Sequence, residues 1–566
     1  VSISDDRPWL KTYDDHVPAD VEIPAVTYTA LLEEGLKAHP ERAAAHFLGR
    51  TVTFAELDRL SARFAAFLAA GGYGPGDVVG INLPNTPQYL IVLAGALRAG
   101  CAATGISALL TAEEMAYQLD DAGVRVLVTL DALLAPKIAP AAARTPRLDH
   151  VVATNIADLL PWPKRLLGRL LKKIPSGPVI DLPGKNVLRL MPLLAGGDER
   201  RAPVALELST PCLIQYTGGT TGPPKGAVLT QGNMAAHLTQ LKHWLRFGMG
   251  EEVFCSAFPF FHQAGLILCL TALRTANTQC LIPDPRNTGN ICREISVHRP
   301  SILANVPTLY QMLLDTPEFR RLDFSSVRLC LSGAAPFAVE SIRALEALTG
   351  RGSVLEVYGM TEASPMLTMN PLAGEKRIGT VGLPICNTHL KLVDVESGTR
   401  EVPPGEEGEI IARGPQIMQG YHRRPGETAH ALRDFDGHTW FFTGDVGRMD
   451  PDGYLTIADR VKDMLIVGGY KVFSREVEEK LYTHPAVEMC AIVGLPNPQR
   501  PGSDIVKAVI QPSGAWRERP AEDVRNEILA FCRQHMAPYK VPKIVEIHPA
   551  IPLTSVGKVD KKRLRG

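Results

Sequence analysis

The sequence lacks a charge excess: 60 Lys and Arg residues balance 60 Asp and Glu residues. A general nucleic-acid binder needs a basic surplus to displace counterions, so no nucleic-acid partner is expected. Paired cysteines are missing too. The ten cysteines are scattered from Cys101 to Cys532 without a CxxC pair, which argues against a zinc ribbon or a thiol redox motif. Thiols dispersed in this way read as buried and reduced. No run of about eighteen apolar residues occurs, so no segment reads as a membrane span. The stretch "VSISDDRPWLKTYDD" is polar and acidic with no apolar core, so a secretory signal is not expected and a cytoplasmic location is. At 566 residues the chain exceeds what one core supports, and two or more domains are expected.

What is present is strand–helix alternation. "FAELDRLSARFAAFLAAG" has helical periodicity and stops at glycine, "DVVGINLP" reads as a short strand, "TPQYLIVLAGALRAG" as a helix and "VRVLVTL" as a strand. The pattern resumes with "SILANV", "VRLCLSG", "AVESIRALEALTG" and "SVLEVYG". Such alternation predicts an α/β fold with parallel pairing. After about Gly379 short strands and turns suggest a small antiparallel or barrel-like section. The last hundred or so residues alternate helix and strand as a compact α+β unit. The charged turn "DRVKD" (Asp459–Asp463) is a plausible hinge, giving domains at 1–458 and 464–566 around it.

The stretch "YTGGTTGPPKG" (Tyr216–Gly226) has the composition of a phosphate cradle. Glycines let backbone N–H groups crowd anionic oxygens, threonines add donors and Lys225 adds charge. The order Lys225-Gly226-Ala227 is not the Gly-Lys-Ser/Thr of the usual NTPase loop. Other stretches end strands, where α/β folds place ligand loops: "SGAAP" (Ser332–Pro336) and "EVYGMTEASP" (Glu356–Pro365). The latter offers a ring at Tyr358, a hydroxyl at Thr361 and a carboxylate at Glu362 suited to Mg²⁺ beside phosphate. "PFFHQAG" carries His262, "FFTGD" presents Asp445 for ribose hydroxyls, and "PLTSVGKVDKKRLR" sets Lys558 on a glycine-flanked turn. Taken singly, His262, Glu362 and Lys558 are ordinary structural or surface residues; their joint occurrence carries the argument.

Together these stretches resemble the adenylate-forming superfamily of acyl-CoA synthetases, luciferase and adenylation domains, across nearly the whole chain. "RPWLKTY", "NVPTLY", "LDFSSVRLCLSGAAP", "GPQIMQGY" and "MAPYKVPK" are similar to bacterial long-chain fatty-acid–CoA ligases. The resemblance implies a large N-terminal domain with α/β subdomains and a β-barrel-like subdomain, plus a small mobile α+β C-terminal domain. It implies that a carboxylate attacks the α-phosphate of ATP, releasing pyrophosphate, and that coenzyme A then displaces AMP. Residues Thr217, Gly218, Gly219, Thr220, Thr221, Gly222 and Lys225 would grip the β- and γ-phosphates. Ala334, Ala335, Pro336, Val357, Tyr358, Gly359 and Met360 would form the adenine slot, with Tyr358 stacking on the base. Thr361 would contact the α-phosphate, Glu362 hold Mg²⁺, and Asp445 and Arg460 bind the ribose. Lys558 would bridge carboxylate and α-phosphate, with His262 also in the catalytic set. Lys462 would be the pivot, Gly468, Gly469 and Tyr470 would line the coenzyme A channel, and Phe261, Gln263, Gly265 and Pro307 would line the acyl pocket.

Two stretches depart from the family pattern. "SALLT" (Ser107–Thr111) stands where long-chain ligases usually carry an Asn-Pro-x-Tyr-Thr-like segment, and "SGAAP" has alanine where glycine is frequent. A CoA ligase for aromatic or alicyclic acids, or an acyl-AMP ligase loading a carrier protein, therefore stays beside the fatty-acid reading. Oligomeric state is open, a homodimer being one option.

One segment belongs to none of these motifs. "PWPKRLLGRLLKKIP" (Pro161–Pro175) gathers Leu166, Leu167, Leu170, Leu171 and Ile174 on one helical face and most of its five cations on the other. Such a helix suits an anionic membrane surface, and the segment resembles one in the long-chain ligases, which implies the inner face; packing of the leucines on the protein body is the alternative.

Overall fold

The computed structural model describes residues 7–171, 174–196, 204–217, 223–335, 337–468, 470–553 and 559–565. Among these, two large sheets and a smaller antiparallel one make up the N-terminal part. In the first, Ala43–Phe47, Thr278–Leu281, Val253–Ser256, Ile302–Asn305, Leu329–Ser332 and Val354–Gly359 lie in that order and run parallel. Met366–Met369 and Leu383–Pro384 then continue antiparallel. In the second, Asn186–Arg189, His150–Thr154, Val124–Leu130, Val78–Asn82, Ala102–Gly105 and Pro211–Thr217 are parallel neighbours. Lys225–Thr230 and Gly420–Tyr421 close that edge antiparallel.

Local chemistry explains the helices that join these sheets. Thr53 caps Phe54–Ala70 by accepting from Glu56 N–H, and Gly71 follows its last turn. Pro87–Arg98 begins with Thr86 as cap and proline in its first turn, where the missing N–H costs nothing. All twelve of its residues are buried, which an amphipathic surface helix would not show. Both helices belong to one continuous core that also takes in Gln231–Leu245 and Gln263–Arg274.

The section after Gly379 is antiparallel as expected, with His389–Val393, Glu407–Arg413, His438–Met449 and Leu432–Phe435 in order and Leu455–Arg460 added to His438–Met449. The C-terminal part pairs Leu465–Val467 with Tyr470–Val472. It also carries the strands Val487–Pro496, Asp504–Pro512 and Ile544–Ile547, with helices Ser474–Tyr482 and Ala521–His535 packed on its own core. The ten cysteines are buried and unbridged.

Candidate functional site

The site is assembled where the parallel strand Val354–Gly359 ends. Tyr358 donates its hydroxyl to Asp445 Oδ2 at 2.8 Å. Asp445 faces Arg460 across paired strands, and Arg460 Nε lies 3.4 Å from Asp445 Oδ1. Burial first, and then the Asp445 charge, push the Tyr358 phenol well above its ordinary range, so it stays a donor. Two expected ribose residues and the expected adenine ring thus form one connected group.

Beyond Gly359 the chain turns sharply. A Cβ at Gly359 would lie 1.9 Å from Pro365 O, so only glycine fits this approach. The turn Thr361–Ala363 follows and buries the Glu362 carboxyl. Tyr421 donates to Glu362 Oε1 at 2.7 Å, and Met418 N–H donates to the Glu362 carbonyl at 2.8 Å. Burial raises the Glu362 pKa, opposed by the Tyr421 hydrogen bond. A buried carboxylate of this kind fits a divalent cation bound through one carboxylate and phosphate oxygens.

Thr217 and Lys225 are register partners at the ends of two antiparallel strands. Lys225 Nζ pairs with Glu427 and sits 5.0 Å from the centre of the Tyr421 ring. Lys225, expected at the phosphates, and the Mg²⁺ candidate Glu362 are therefore linked through one tyrosine. Neither Tyr421 nor Glu427 was expected from the sequence as a functional residue; the "QGY" of "GPQIMQGY" was the available signal for the first. Gly218, Gly219, Thr220, Thr221, Gly222, Pro336, Gly469 and Lys558 lie outside the described residues.

The residues expected around the acid lie on neighbouring loops. His262 caps Gln263–Arg274 by accepting from Ala264 N–H through Nδ1 at 3.3 Å. Gln263 is buried and donates to Ser364 O at 3.2 Å, tying this helix to the Thr361–Ala363 turn. Phe261 backs on Gly105, where a Cβ would lie 2.5 Å from Phe261 Cα. Gly265 starts the same helix against Pro259 O, and Pro307, itself buried, opens the half-buried helix Pro307–Leu314. Ala334 adopts a left-handed φ of 69°, a conformation that costs an alanine roughly 1 kcal/mol. Its partner Ala335 is exposed, and Val357 packs against Gly333.

Lys462 and the hairpin lie elsewhere. Arg565 donates to the Lys462 carbonyl at 3.4 Å and pairs with Asp463 at 2.6 Å, while burial lowers the Lys462 pKa. Gly468 N–H donates to Ser503 Oγ at 3.0 Å, and Tyr470 is exposed and stacks on Tyr539 at 4.6 Å. Lys471 approaches Glu396 at 4.0 Å.

The helix Trp162–Leu170 does not pack its leucines inward. Leu166, Leu167 and Leu170 are 53%, 56% and 71% exposed, and Lys164 holds the helix to the body by donating to Leu48 O at 2.9 Å. Lys172 and Lys173 lie outside the described residues. Among the described residues no helix is long and apolar enough to cross a membrane.

Comparison with known proteins places the chain in a family. The family model for AMP-binding enzymes matches residues 32–422, and that for the AMP-binding enzyme C-terminal domain matches 476–558. The chain is 36% identical over 566 residues to the long-chain-fatty-acid–CoA ligase of Bacillus subtilis, covering 99% of this chain and 97% of the relative. It is 34% identical over 530 residues to a feruloyl-CoA synthase of an Amycolatopsis species, covering 93% and 96%. Among solved structures, ATP-bound MatB from Rhodopseudomonas palustris is 28% identical with a TM-score of 0.79, covering 95% of this chain and 98% of that one. The anthranilate CoA ligase AuaEII in complex with anthranoyl-AMP is 26% identical with a TM-score of 0.81, covering 97% and 98%.

Proposed function

Since this chain belongs to the AMP-binding enzyme family and is an AMP-forming acyl-CoA synthetase, we propose that its acid is a medium- or long-chain fatty acid. The full-length similarity to the Bacillus subtilis ligase carries the choice of acid. ATP, fatty acid and coenzyme A are its substrates.

The roles of the residues follow from where charge moves. Attack of the acid on the α-phosphate builds charge on the phosphoryl oxygens, and fixed donors lower that barrier. Thr361 faces the α-phosphate, and Lys558 bridges it to the attacking carboxylate. Tyr358 presents its ring to adenine while its hydroxyl keeps Asp445 oriented toward the ribose. Residues 217–222 and Lys225 grip the departing pyrophosphate. Glu362 would hold Mg²⁺, oriented by Tyr421, and the ion would neutralise phosphate charge.

Residues 1–458 act as the adenylating body, 459–463 as hinge and 464–566 as lid. Rotation about Lys462 exchanges the Lys558 turn for the Gly468–Tyr470 hairpin, so that one site serves both steps. The thiol of coenzyme A then attacks the acyl carbonyl and AMP leaves. The exposed leucines of Trp162–Leu170 support a second element of this reading, a peripheral membrane contact that brings the enzyme to its acid.

The test is acid-dependent ATP–pyrophosphate exchange and thioester formation with octanoate through stearate, against ferulate and benzoate. Burial of each CH₂ contributes up to about 0.8 kcal/mol, so kcat/KM rises by up to about fourfold per methylene until the pocket is full. Preference for ferulate or benzoate overturns the fatty-acid reading. Adenylation without any thioester to free coenzyme A points instead to a carrier-protein acceptor.

A further inference from the structure

A cavity of about 880 Å³ lies toward the amino ends of the second sheet's parallel strands and shares Tyr421 with the site above. It opens at the amino ends of the parallel strands, beside Val78, Ala102 and Gly123, whereas Gly105 and Thr217 end their strands on the reaction side. Ligand crevices in such sheets form outside the carboxyl ends, so this cavity is a separate feature. Its volume falls in the range of small-molecule sites.

The chemistry of its walls is specific. Val78, Ala102, Ile214 and Val228 make one side apolar. At the mouth, two guanidinium groups converge on Gly123: a Cβ there would lie 3.2 Å from Arg423 Nη2 and 3.6 Å from Arg147 Nη1. Both side chains are exposed, and two cations facing one point favour an anion there. Their neighbours are neutralised, Arg125 by Asp77 at 3.1 Å and Asp149 at 2.6 Å, and Arg424 by Asp121 at 2.8 Å. Among the described residues neither Arg147 nor Arg423 pairs with a carboxylate; Arg423 Nη1 reaches the Asp121 carbonyl at 3.4 Å. His422 also lines the cavity, and its Nε2 is buried without a hydrogen-bond partner among the described residues.

We propose that this cavity is a second binding site, for an amphiphilic anion whose phosphate or carboxylate head sits between Arg147 and Arg423 and whose apolar body lies on Val78, Ala102 and Ile214. The head answers the converging guanidinium groups. The body answers the apolar wall.

The same wall connects the cavity to catalysis. Gly420 and Tyr421 pair with Val228 and Ala227 on the strand that begins at Lys225. Tyr421 lines the cavity, and its hydroxyl holds Glu362 at 2.7 Å. An occupant pressing on this segment therefore alters the position of Glu362, and the site is regulatory. The reading does not depend on which acid the enzyme activates.

The test uses the full chain with its catalytic site saturated by the non-hydrolysable adenylate analogue of its preferred acid. Dodecyl phosphate, laurate and inorganic phosphate are titrated by calorimetry. The expected result is one further saturable site for dodecyl phosphate or laurate, the tighter of the two naming the head group. Inorganic phosphate is expected to bind at least about tenfold more weakly, because it lacks the apolar body. Arg147→Glu combined with Arg423→Glu is expected to weaken the amphiphile at least about tenfold while leaving pyrophosphate exchange unchanged. In steady-state assays the amphiphile shifts KM for ATP in the wild type and not in the double variant. Should the double reversal lower the melting temperature, Arg147→Gln reads the same loss without adding charge. The proposal is overturned if no second site appears, if charge reversal leaves it intact, or if inorganic phosphate binds as tightly.

Discussion

The Tyr358 hydroxyl bonds Asp445 at 2.8 Å, joining the last parallel strand of one sheet to the twelve-residue strand His438–Met449 of another. The ring proposed for adenine and the carboxylate proposed for ribose are thus set by one contact. A hydrogen bond to a charged group contributes about 1.5–3 kcal/mol. Tyr358→Phe keeps the ring but releases the carboxylate, and kcat/KM for ATP is expected to fall about tenfold to a hundredfold. Pyrophosphate exchange measures this directly, and a wild-type value would remove Asp445 from ribose binding.

Glu362 and Tyr421 give a pH-dependent prediction. Burial raises the Glu362 pKa and the Tyr421 hydrogen bond opposes it. Tyr421→Phe leaves burial less opposed, so the carboxyl pKa rises further. Mg²⁺ binding needs the ionised form. The acid limb of kcat/KM for ATP is expected to move upward, with activity recovering at alkaline pH. An unmoved limb would separate Tyr421 from the metal site.

Glu356 lies two residues before Tyr358 on the same strand and accepts from Gly379 N–H at 3.2 Å. Burial pushes its carboxyl from the ordinary 4.5 up to about 7. Between those values the folded chain keeps a proton that the unfolded chain has released. Its stabilising effect is full below the unfolded value and is lost as pH rises through about 7. Glu356→Gln mimics the protonated acid at every pH. Its stability is expected to gain on the wild type as pH rises across this window, by up to about 3 kcal/mol. Urea unfolding of both proteins at several pH values reads the difference; a constant difference would mean that Glu356 ionises normally.

The exposed face of Trp162–Leu170 predicts membrane binding that depends on leucine. Replacing Leu166, Leu167 and Leu170 by serine is expected to weaken sedimentation with anionic vesicles at least about tenfold. Activity on a soluble short acid should stay unchanged. Equal sedimentation of variant and wild type would leave these leucines without a membrane role.

The sequence was informative where the signal is local. The apolar runs at Val78–Asn82 and Val124–Leu130, and the periodic helix Phe54–Ala70 ended by glycine, are patterns that neighbouring residues carry by themselves. Periodicity also grouped the leucines of Trp162–Leu170 on one face, but whether a face is covered depends on distant chain. The same limit hid Tyr421 and Glu427, whose partners Glu362 and Lys225 lie 59 and 202 residues away. Ala334 is intermediate: an alanine where glycine is frequent was visible, and its left-handed φ of 69° explains the preference for glycine there.

The proposed hinge carries its own cap. The helix Ser474–Tyr482 has Phe473 at its N-cap, which offers no side-chain acceptor. Asp459 supplies one from outside: its carboxylate accepts from Ser474 N–H, from Ser474 Oγ at 3.1 Å and from Arg475 N–H at 3.4 Å. A carboxylate at this position also meets the positive end of the helix dipole. The first residue of the hinge turn is therefore bonded to the first helix of the lid. Asp459→Ala removes the cap and is expected to cost about 1–2 kcal/mol of stability. If the contact also favours one lid orientation, its loss shifts the balance between the two half-reactions. Pyrophosphate exchange and thioester formation from isolated acyl-adenylate should then change by unequal factors, at least about threefold apart, since roughly 0.7 kcal/mol of bias suffices. Asp459→Asn keeps an acceptor and should restore part of the ratio. Equal changes in both half-reactions would reduce Asp459 to a structural cap and leave the pivot to Lys462 alone.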